Sequence, residues 1–330
     1  MISDRDLQHG DAVPCLLVNP RSFAASRGLA DKMIATATAH GADVVVIHDR
    51  QSLADAMTTI LSRRQAQVML FGGDGTVRGV IEHLANLPAG SWMPDLAVLP
   101  GGRTNLIAAD LGMRGRRPLA TMKRALLRAK TRNWHDYVSE RPVLCIEQAA
   151  SQTRFGFFMG AAWIDSAVRR CDVHRGLGVG PWYQGPYSSL FCVATMFYRA
   201  ALGRPVFDSV DLQVEMDGTR STSGRVRLLY ATTLLHERGM LNPYARSGQG
   251  DLRLTSIASR AVGFWRLLPR VVVGRFSASM TKETGYLSGH GERMTITGLK
   301  SFSLDGEPFE VDPTLPVTIR TGPRLRFVTS

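Results

Sequence analysis

Short apolar runs alternate with stretches of three-and-four spacing over the first 130 residues. Residues 13–18 are such a run, ending at Asn19-Pro20, as a buried strand closed by a turn should. The spacing predicts a helix over 26–40. Residues 44–47 are β-branched and continuous, which predicts a strand covered on both faces. A helix over 52–61 follows, with Ser52 as its N-cap. Residues 67–71 and 96–99 predict two more strands, and helices are predicted over 76–85, 104–111 and 118–129. Strands alternating with helices imply right-handed βαβ units and a doubly wound parallel sheet, an α/β fold.

The grammar changes after Trp134. Strand patterns fall at 143–147, 154–158, 210–216, 226–232, 252–257, 294–297, 301–304, 317–319 and 325–328. Turn pairs such as Asp217-Gly218 and Asp305-Gly306 separate them. Helical insertions are predicted near 161–171, 187–202 and 260–276. The expected organisation is an N-terminal α/β domain over 1–135 and a C-terminal, β-sandwich-like domain over 136–330. The last strand is a candidate to return to the first domain.

Composition narrows the class. The 330 residues are 44% hydrophobic and 21% charged, enough for real cores. Cys15, Cys145, Cys171 and Cys192 form no CxxC pair, so the expectation is reduced thiols rather than a zinc ribbon or disulfide scaffold. The net charge of +12 calls for a polyanionic partner: nucleic acid, nucleotide phosphates or anionic lipid. The first fourteen residues lack the apolar core of a signal peptide, and there is no apolar run of about 20 residues. A cytoplasmic protein is expected.

Two glycine-rich turns carry the candidate chemistry. Gly72-Gly73-Asp74-Gly75-Thr76 lies between a predicted strand and a predicted helix. Glycines let the backbone approach a ligand, and the helix that follows aims its N–H groups at an anion. A carboxylate in a phosphate site suits Mg²⁺ or a hydroxyl better than phosphate itself, which marks Asp74. Pro100-Gly101-Gly102-Arg103-Thr104-Asn105 repeats the device one βα unit later. Turns at the carboxyl ends of neighbouring strands face the crevice where open α/β sheets bind ligands. Asn19-Pro20-Arg21-Ser22 would stand on the same rim. A P-loop, a first-strand GxGxxG, a GxSxG elbow and an HExxH pair are all absent.

In this order these segments resemble the diacylglycerol kinase catalytic-domain family, which includes bacterial lipid kinases and sphingosine kinases and is distantly related to NAD kinases. Asn19-Pro20-Arg21-Ser22 is similar to NPxSG, residues 72–76 to GGDGT, 100–112 to the P-x-G-T-x-N…LG block, and Leu304-Asp305-Gly306-Glu307 to a late DGE motif. The resemblance implies an ATP- and Mg²⁺-dependent lipid kinase that moves the γ-phosphate to the hydroxyl of diacylglycerol or a similar lipid. It implies a nucleotide lined by Asn19, Ser22, Gly72, Gly73, Gly75, Thr76, Gly101, Gly102, Arg103, Thr104 and Asn105. Asp74 would organise Mg²⁺, and Asp305 would be the general base with Glu307 near it. On spacing alone Asp305-Gly306 reads as a hairpin turn.

Departures are visible. Phe23 replaces the last glycine of NPxSG, and Arg103 stands where the family has threonine. Either Thr104 substitutes or Arg103 contacts phosphate. Gln249 stands where many bacterial members have an acidic residue of a second, structural metal site. Asp165 resembles a supporting position. Residues 176–203 hold Trp182, Tyr183, Tyr187, Phe191, Phe197 and Tyr198, which suit either core packing or an acyl pocket. Residues 260–282 interleave cations with apolar residues, as in a helix lying on anionic lipid or a solvated helix packed on the second domain. Residues 114–132 are also basic. No nucleic-acid-binding module is recognisable, so anionic membrane surface is the expected partner and the expected location is peripheral to the membrane. A homodimer is open. The rivals are a kinase for a soluble acceptor such as NAD or a sugar, and a catalytically weak lipid- or nucleotide-binding protein.

Overall fold

The structure is a computed structural model. It describes residues 13–22, 24–25, 28–102, 105–111, 113, 117–130, 133–149, 151–176, 194–196, 198–200, 202–204, 207, 209–218, 220–235 and 242–329. The chain divides into two compact units. One runs to Pro142 and takes back Pro323–Ser330; the other is Val143–Gly322.

The first unit is a βα alternation: β1 (Cys15–Val18), α1 (Leu29–Ala39), β2 (Asp43–Val46), α2 (Arg50–Ser62), β3 (Gln67–Gly72), α3 (Asp74–Ala85), β4 (Asp95–Pro100), α4 (Leu106–Asp110) and α5 (Pro118–Lys130). The strands are parallel in the order β4-β3-β1-β2. The last strand of the chain (Val317–Val328) adds beside β4 through Phe327 and Leu96, again parallel. Helix α1 packs beside α5, and α2 beside α3. Leu16, Val18, Met69, Phe71, Ala97 and Leu99 form one core with Met33, Ala37, Met122 and Leu126. Leu17, Leu70 and Val98 alternate with these and are buried too, which is why the strands read as unbroken apolar runs.

Two expectations are corrected here. The 44–47 run is not covered on both faces: β2 is the edge strand, and Val46 is exposed. Ser52 is not the N-cap of α2. Asp49 is, accepting from Ser52 N at 2.8 Å, while Ser52 Oγ accepts from Asp49 N at 3.0 Å, a reciprocal capping box. The returning strand is tied down by an ion pair. Arg326 Nε donates to Asp95 Oδ1 at 2.8 Å, and Trp134 Nε1 donates to Oδ2 at 3.0 Å. Asp95 is buried at the start of β4.

The second unit takes over along β5 (Val138–Gln148) and continues with β6 (Arg154–Gly156), β7 (Phe158–Ala162), α6 (Trp163–Gly176), β8 (Val210–Met216), β9 (Arg220–Thr232) and β10 (Leu252–Ala258). Then follow α7 (Phe264–Val272), β11 (Tyr286–Gly291), β12 (Arg293–Thr297), β13 (Ser301–Leu304), β14 (Glu307–Glu310) and β15, the strand Val317–Val328. The order β14-β13-β7-β9-β8-β12-β15 is antiparallel. Long β9 pairs with β8 along its first half, then lies between β7 and β10. The core joins Leu144, Leu212, Val214, Leu229, Leu254, Phe302 and Ile319.

Three patterns differ from expectation. The 154–158 run breaks at Phe157 into β6 and β7. The 317–319 and 325–328 runs form one strand, β15. Strand β11 has no pattern because its glycines serve close contacts: a Cβ on Gly289 would lie 2.7 Å from Ser247 O, and one on Gly291 2.4 Å from Asp217 Oδ2. Among the described residues no helix is long and apolar enough to cross a membrane.

Candidate functional site

In the first unit the register of the parallel strands brings three turns to one edge. Val18 pairs with Phe71, Phe71 with Leu99, and Gly72 with Pro100. The segments that follow, from Asn19, Gly73 and Gly101, therefore leave the sheet at one level. Asn19 N donates to Phe71 O at 2.9 Å, and Ala24 N donates to Gly101 O at 3.1 Å, so all three turns are stitched together. Asn19 Nδ2 donates to Thr76 Oγ1 at 3.0 Å, leaving the Thr76 proton to donate elsewhere.

The glycines have two separate reasons. A Cβ on Gly72 would lie 2.6 Å from Thr76 Cβ, and one on Gly101 would lie 2.6 Å from Gly72 O. Gly72 thus leaves room for the Thr76 side chain of its own turn, and Gly101 lets the second turn touch the first. At Gly73 nothing lies within 4 Å of where a Cβ would be, and φ is −84°, which any residue adopts. Its bareness keeps open the space at the N-terminus of α3, where the first-turn N–H groups lack helical acceptors.

Asp74 opens α3. Its carboxylate oxygens lie 3.5 and 3.6 Å from where a Gly102 Cβ would stand, so the first turn's carboxylate faces the second turn. Asn105 Oδ1 accepts from Gly102 N at 2.9 Å rather than from the helix, and Asn105 stands at the N-cap position of α4 in a left-handed conformation, φ 51°, which asparagine tolerates. Ser22 is buried, and its Oγ has no hydrogen-bond partner. A phosphate or ribose oxygen would satisfy it. These residues fit a nucleotide. Among the described residues no group of three His, Cys, Asp or Glu side chains gathers for a metal. Mg²⁺ in kinases is held by one or two carboxylates plus substrate phosphates, so Asp74 alone fits that demand. Arg103, Thr104 and Phe23 lie outside the described residues.

In the second unit Asp305 follows β13 directly. It and Gly306 have φ of 50° and 86°, the positive pair of a two-residue type I′ hairpin closed by Leu304 and Glu307. Both Asp305 oxygens accept from Phe157 N at 3.1 Å, and Oδ1 also accepts from Phe158 N at 2.9 Å. The carboxylate thus fills the break between β6 and β7. A Cβ on Gly156 would lie 2.5 Å from Asp305 Oδ2, so only glycine leaves room for it. Glu307 is half-buried on β14. Phe157, Phe158 and Gly156 escaped the sequence reading, although glycine inside the strand run 154–158 was a signal of close approach.

Asp165 supports this arrangement. Buried in the first turn of α6, it accepts from Ser301 Oγ and Ser303 Oγ, both at 2.6 Å, and from Arg169 Nε at 2.9 Å. It thereby fixes β13, which carries Asp305. Gln249 is exposed and Gly250 has φ 115°. Of the aromatic residues at 176–203, Tyr198 is described and exposed; the other five lie outside the described residues. Cys15, Cys145 and Cys171 are buried, and Cys192 lies outside the described residues. Burial pushes the Cys15 and Cys145 thiols up to about 12, so neither offers a thiolate nucleophile.

Residues 14–135 match the diacylglycerol kinase catalytic domain. That stretch contains all three stitched turns and supports a kinase. The fold extends the likeness over the whole chain. A Bacillus anthracis str. Sterne structure described as a diacylglycerol kinase covers 97% of this chain and 97% of its own, with TM-score 0.61 and 16% identity. A candidate diacylglycerol kinase from the same organism gives TM-score 0.66 at 16% identity, with the same coverage of both chains. An Archaeoglobus fulgidus NAD kinase in complex with ATP is more distant, with TM-score 0.47, 11% identity, and coverage of 96% and 94%. A search among curated proteins finds no match.

Proposed function

We propose that this chain is an ATP- and Mg²⁺-dependent lipid kinase. The observation that carries the proposal is the rim of the first unit: two touching glycine turns, the open space at Gly73, Asp74 facing Gly102, and the unpartnered Ser22 Oγ. The match of residues 14–135 to a kinase catalytic domain supports it.

On this reading the nucleotide phosphates lie against the N–H groups at the start of α3, with Ser22 and Thr76 as hydroxyl partners. Mg²⁺, held by Asp74 and phosphate oxygens, would neutralise charge on the transferred group. Phosphoryl transfer asks the protein mainly for positioning and charge neutralisation. The acceptor oxygen forms a bond to the γ-phosphorus, the bond to the β,γ-bridging oxygen breaks, and ADP leaves. The hydroxyl proton needs an acceptor late in that step. We assign it to Asp305. The bonds from Phe157 and Phe158 hold its carboxylate in one orientation.

Those same two bonds favour one second reading, in which Asp305 is a structural clamp and the chain binds nucleotide without transfer. The test is purified protein with γ-labelled ATP, Mg²⁺ and a panel of hydroxyl lipids: diacylglycerol, monoacylglycerol, sphingoid bases and polyprenols. Label entering one organic-extractable lipid supports the kinase. Label entering only NAD or a sugar moves the acceptor to the soluble class. ATP binding with no transfer at all supports the clamp.

A further inference from the structure

Helix α7 packs one face inward and leaves an unusual one outward. Phe264, Leu267, Leu268 and Val271 join an aromatic cluster with Trp163, Tyr230 and Tyr286. At 100° per residue, Arg266 and Arg270 fall on the opposite face, with Trp265 and Pro269 beside them. Trp265 stands at the edge of that face, its ring 5.0 Å from that of Phe264 and 5.9 Å from that of Trp163, and is 38% exposed; the segments flanking the helix add Val262 at 64% and Val273 at 54%. Arg260, Arg266, Arg270, Arg275 and Lys282 are all exposed, and no acidic residue occurs from 260 to 282. Glu283, exposed, is the acid nearest along the chain.

We propose that the outward face of α7, with Val262 and Val273 at its ends, docks this protein on an anionic bilayer. Charge complementarity selects that occupant. Uncovered valines and an indole set among arginines match a surface with phosphates outside and hydrocarbon beneath, where tryptophan prefers the boundary. The helix is firmly seated for this purpose. The Arg227 guanidinium lies 4.3 Å from the Phe264 ring centroid and 4.8 Å from that of Trp163, and Arg227 Nη2 donates to Ser259 O at 2.6 Å. Phe158, whose N–H holds Asp305, packs against the apolar cluster on the inner side of α7, with the helix between that cluster and the docking face.

The test uses the full chain and no nucleotide, so it stands apart from the kinase assay. Co-sedimentation is measured with vesicles of phosphatidylcholine alone or mixed with phosphatidylglycerol, alongside quenching of tryptophan fluorescence by a brominated acyl chain. The anionic mixture should bind about tenfold or more tightly, and less so at high salt. Arg266→Gln with Arg270→Gln should weaken that binding about 30-fold, near five-fold per charge. Trp265→Phe should remove most of the quenching. Circular dichroism melts establish that the variants fold. Equal binding to both vesicle types, unchanged binding of the double variant, or full quenching in Trp265→Phe would each overturn the proposal. So would loss of binding in Lys123→Gln with Arg124→Gln on α5 but not in the α7 pair. A lipid-free dimer that dissociates in Trp265→Ser would overturn it too, by assigning the face to a second copy.

Discussion

Gly101→Ala and Gly73→Ala should fail in opposite ways, because the two glycines are bare for different reasons. At 101 the new Cβ would meet Gly72 O at 2.6 Å, Gly72 N at 3.0 Å and the Phe71 ring at 3.1 Å. Two of these are backbone atoms of β3, fixed by the pairing of Gly72 with Pro100, so the clash cannot be relieved by a side-chain swing. Overpacking of this kind costs about 1–3 kcal/mol. For a unit of this size that lowers Tm by about 2–12 °C. At 73 a Cβ meets nothing within 4 Å, and the cost is that of alanine for glycine at an N-cap, about 0.5 kcal/mol. The methyl instead enters the open space proposed above to take phosphate. The same 1–3 kcal/mol would then fall on binding, raising Kd for a non-hydrolysable ATP analogue about 5- to 160-fold. The assay is a thermal melt and a calorimetric titration for each variant. A Gly73→Ala protein that melts as low as Gly101→Ala yet binds the analogue normally would refute the assignment of that space to the nucleotide.

Further outcomes follow from other parts of the fold. Gly156→Ala puts a methyl 2.5 Å from Asp305 Oδ2, so kcat for lipid phosphorylation should fall at least tenfold while the Kd for ATP analogue holds; steady-state kinetics and calorimetry check the split. Arg326→Met removes the cation from buried Asp95 and should cost about 3 kcal/mol in urea unfolding. Burial first, and then the Arg253 charge, holds the His290 imidazole below its ordinary 6.5. The unfolded chain therefore binds the proton more readily. Stability is complete above pH 6.5 and is lost as pH falls below it. The urea midpoint should drop between pH 7.5 and 5.5, and less so in His290→Phe.

The first unit was legible because its signals are local. Parallel strands buried on both faces read as apolar runs, and glycines mark their carboxyl ends. The exceptions have local causes as well. The 44–47 run looks like any buried strand, and only the strand order makes it an edge. Ser52 and Asp49 both suit an N-cap, and which one takes the role depends on where the turn closes. The second unit was less legible because its decisive contacts are distant. Asp305 finds the Phe157 amide across 148 residues, and no spacing announces that. The hairpin at Asp305-Gly306 was readable from its two residues, yet the carboxylate's second task, filling the break between β6 and β7, is a tertiary fact. Strand β11 was hidden for the converse reason: its glycines answer to Ser247 and Asp217, not to strand propensity.

The central claim is that the rim at Asp74 serves phosphate and that Asp305 serves the acceptor hydroxyl. A single-turnover experiment tests both together, with γ-labelled ATP, Mg²⁺, the lipid that accepts label, and three proteins: wild type, Asp74→Asn and Asp305→Ala. Rapid transfer is expected in the wild type. Both variants should lose it by about 100-fold or more, the scale of general acid–base or charge-positioning groups. Asp305→Ala should still bind ATP analogue as the wild type does. Full-rate transfer by Asp305→Ala, or by Asp74→Asn, would contradict the account at the residue concerned.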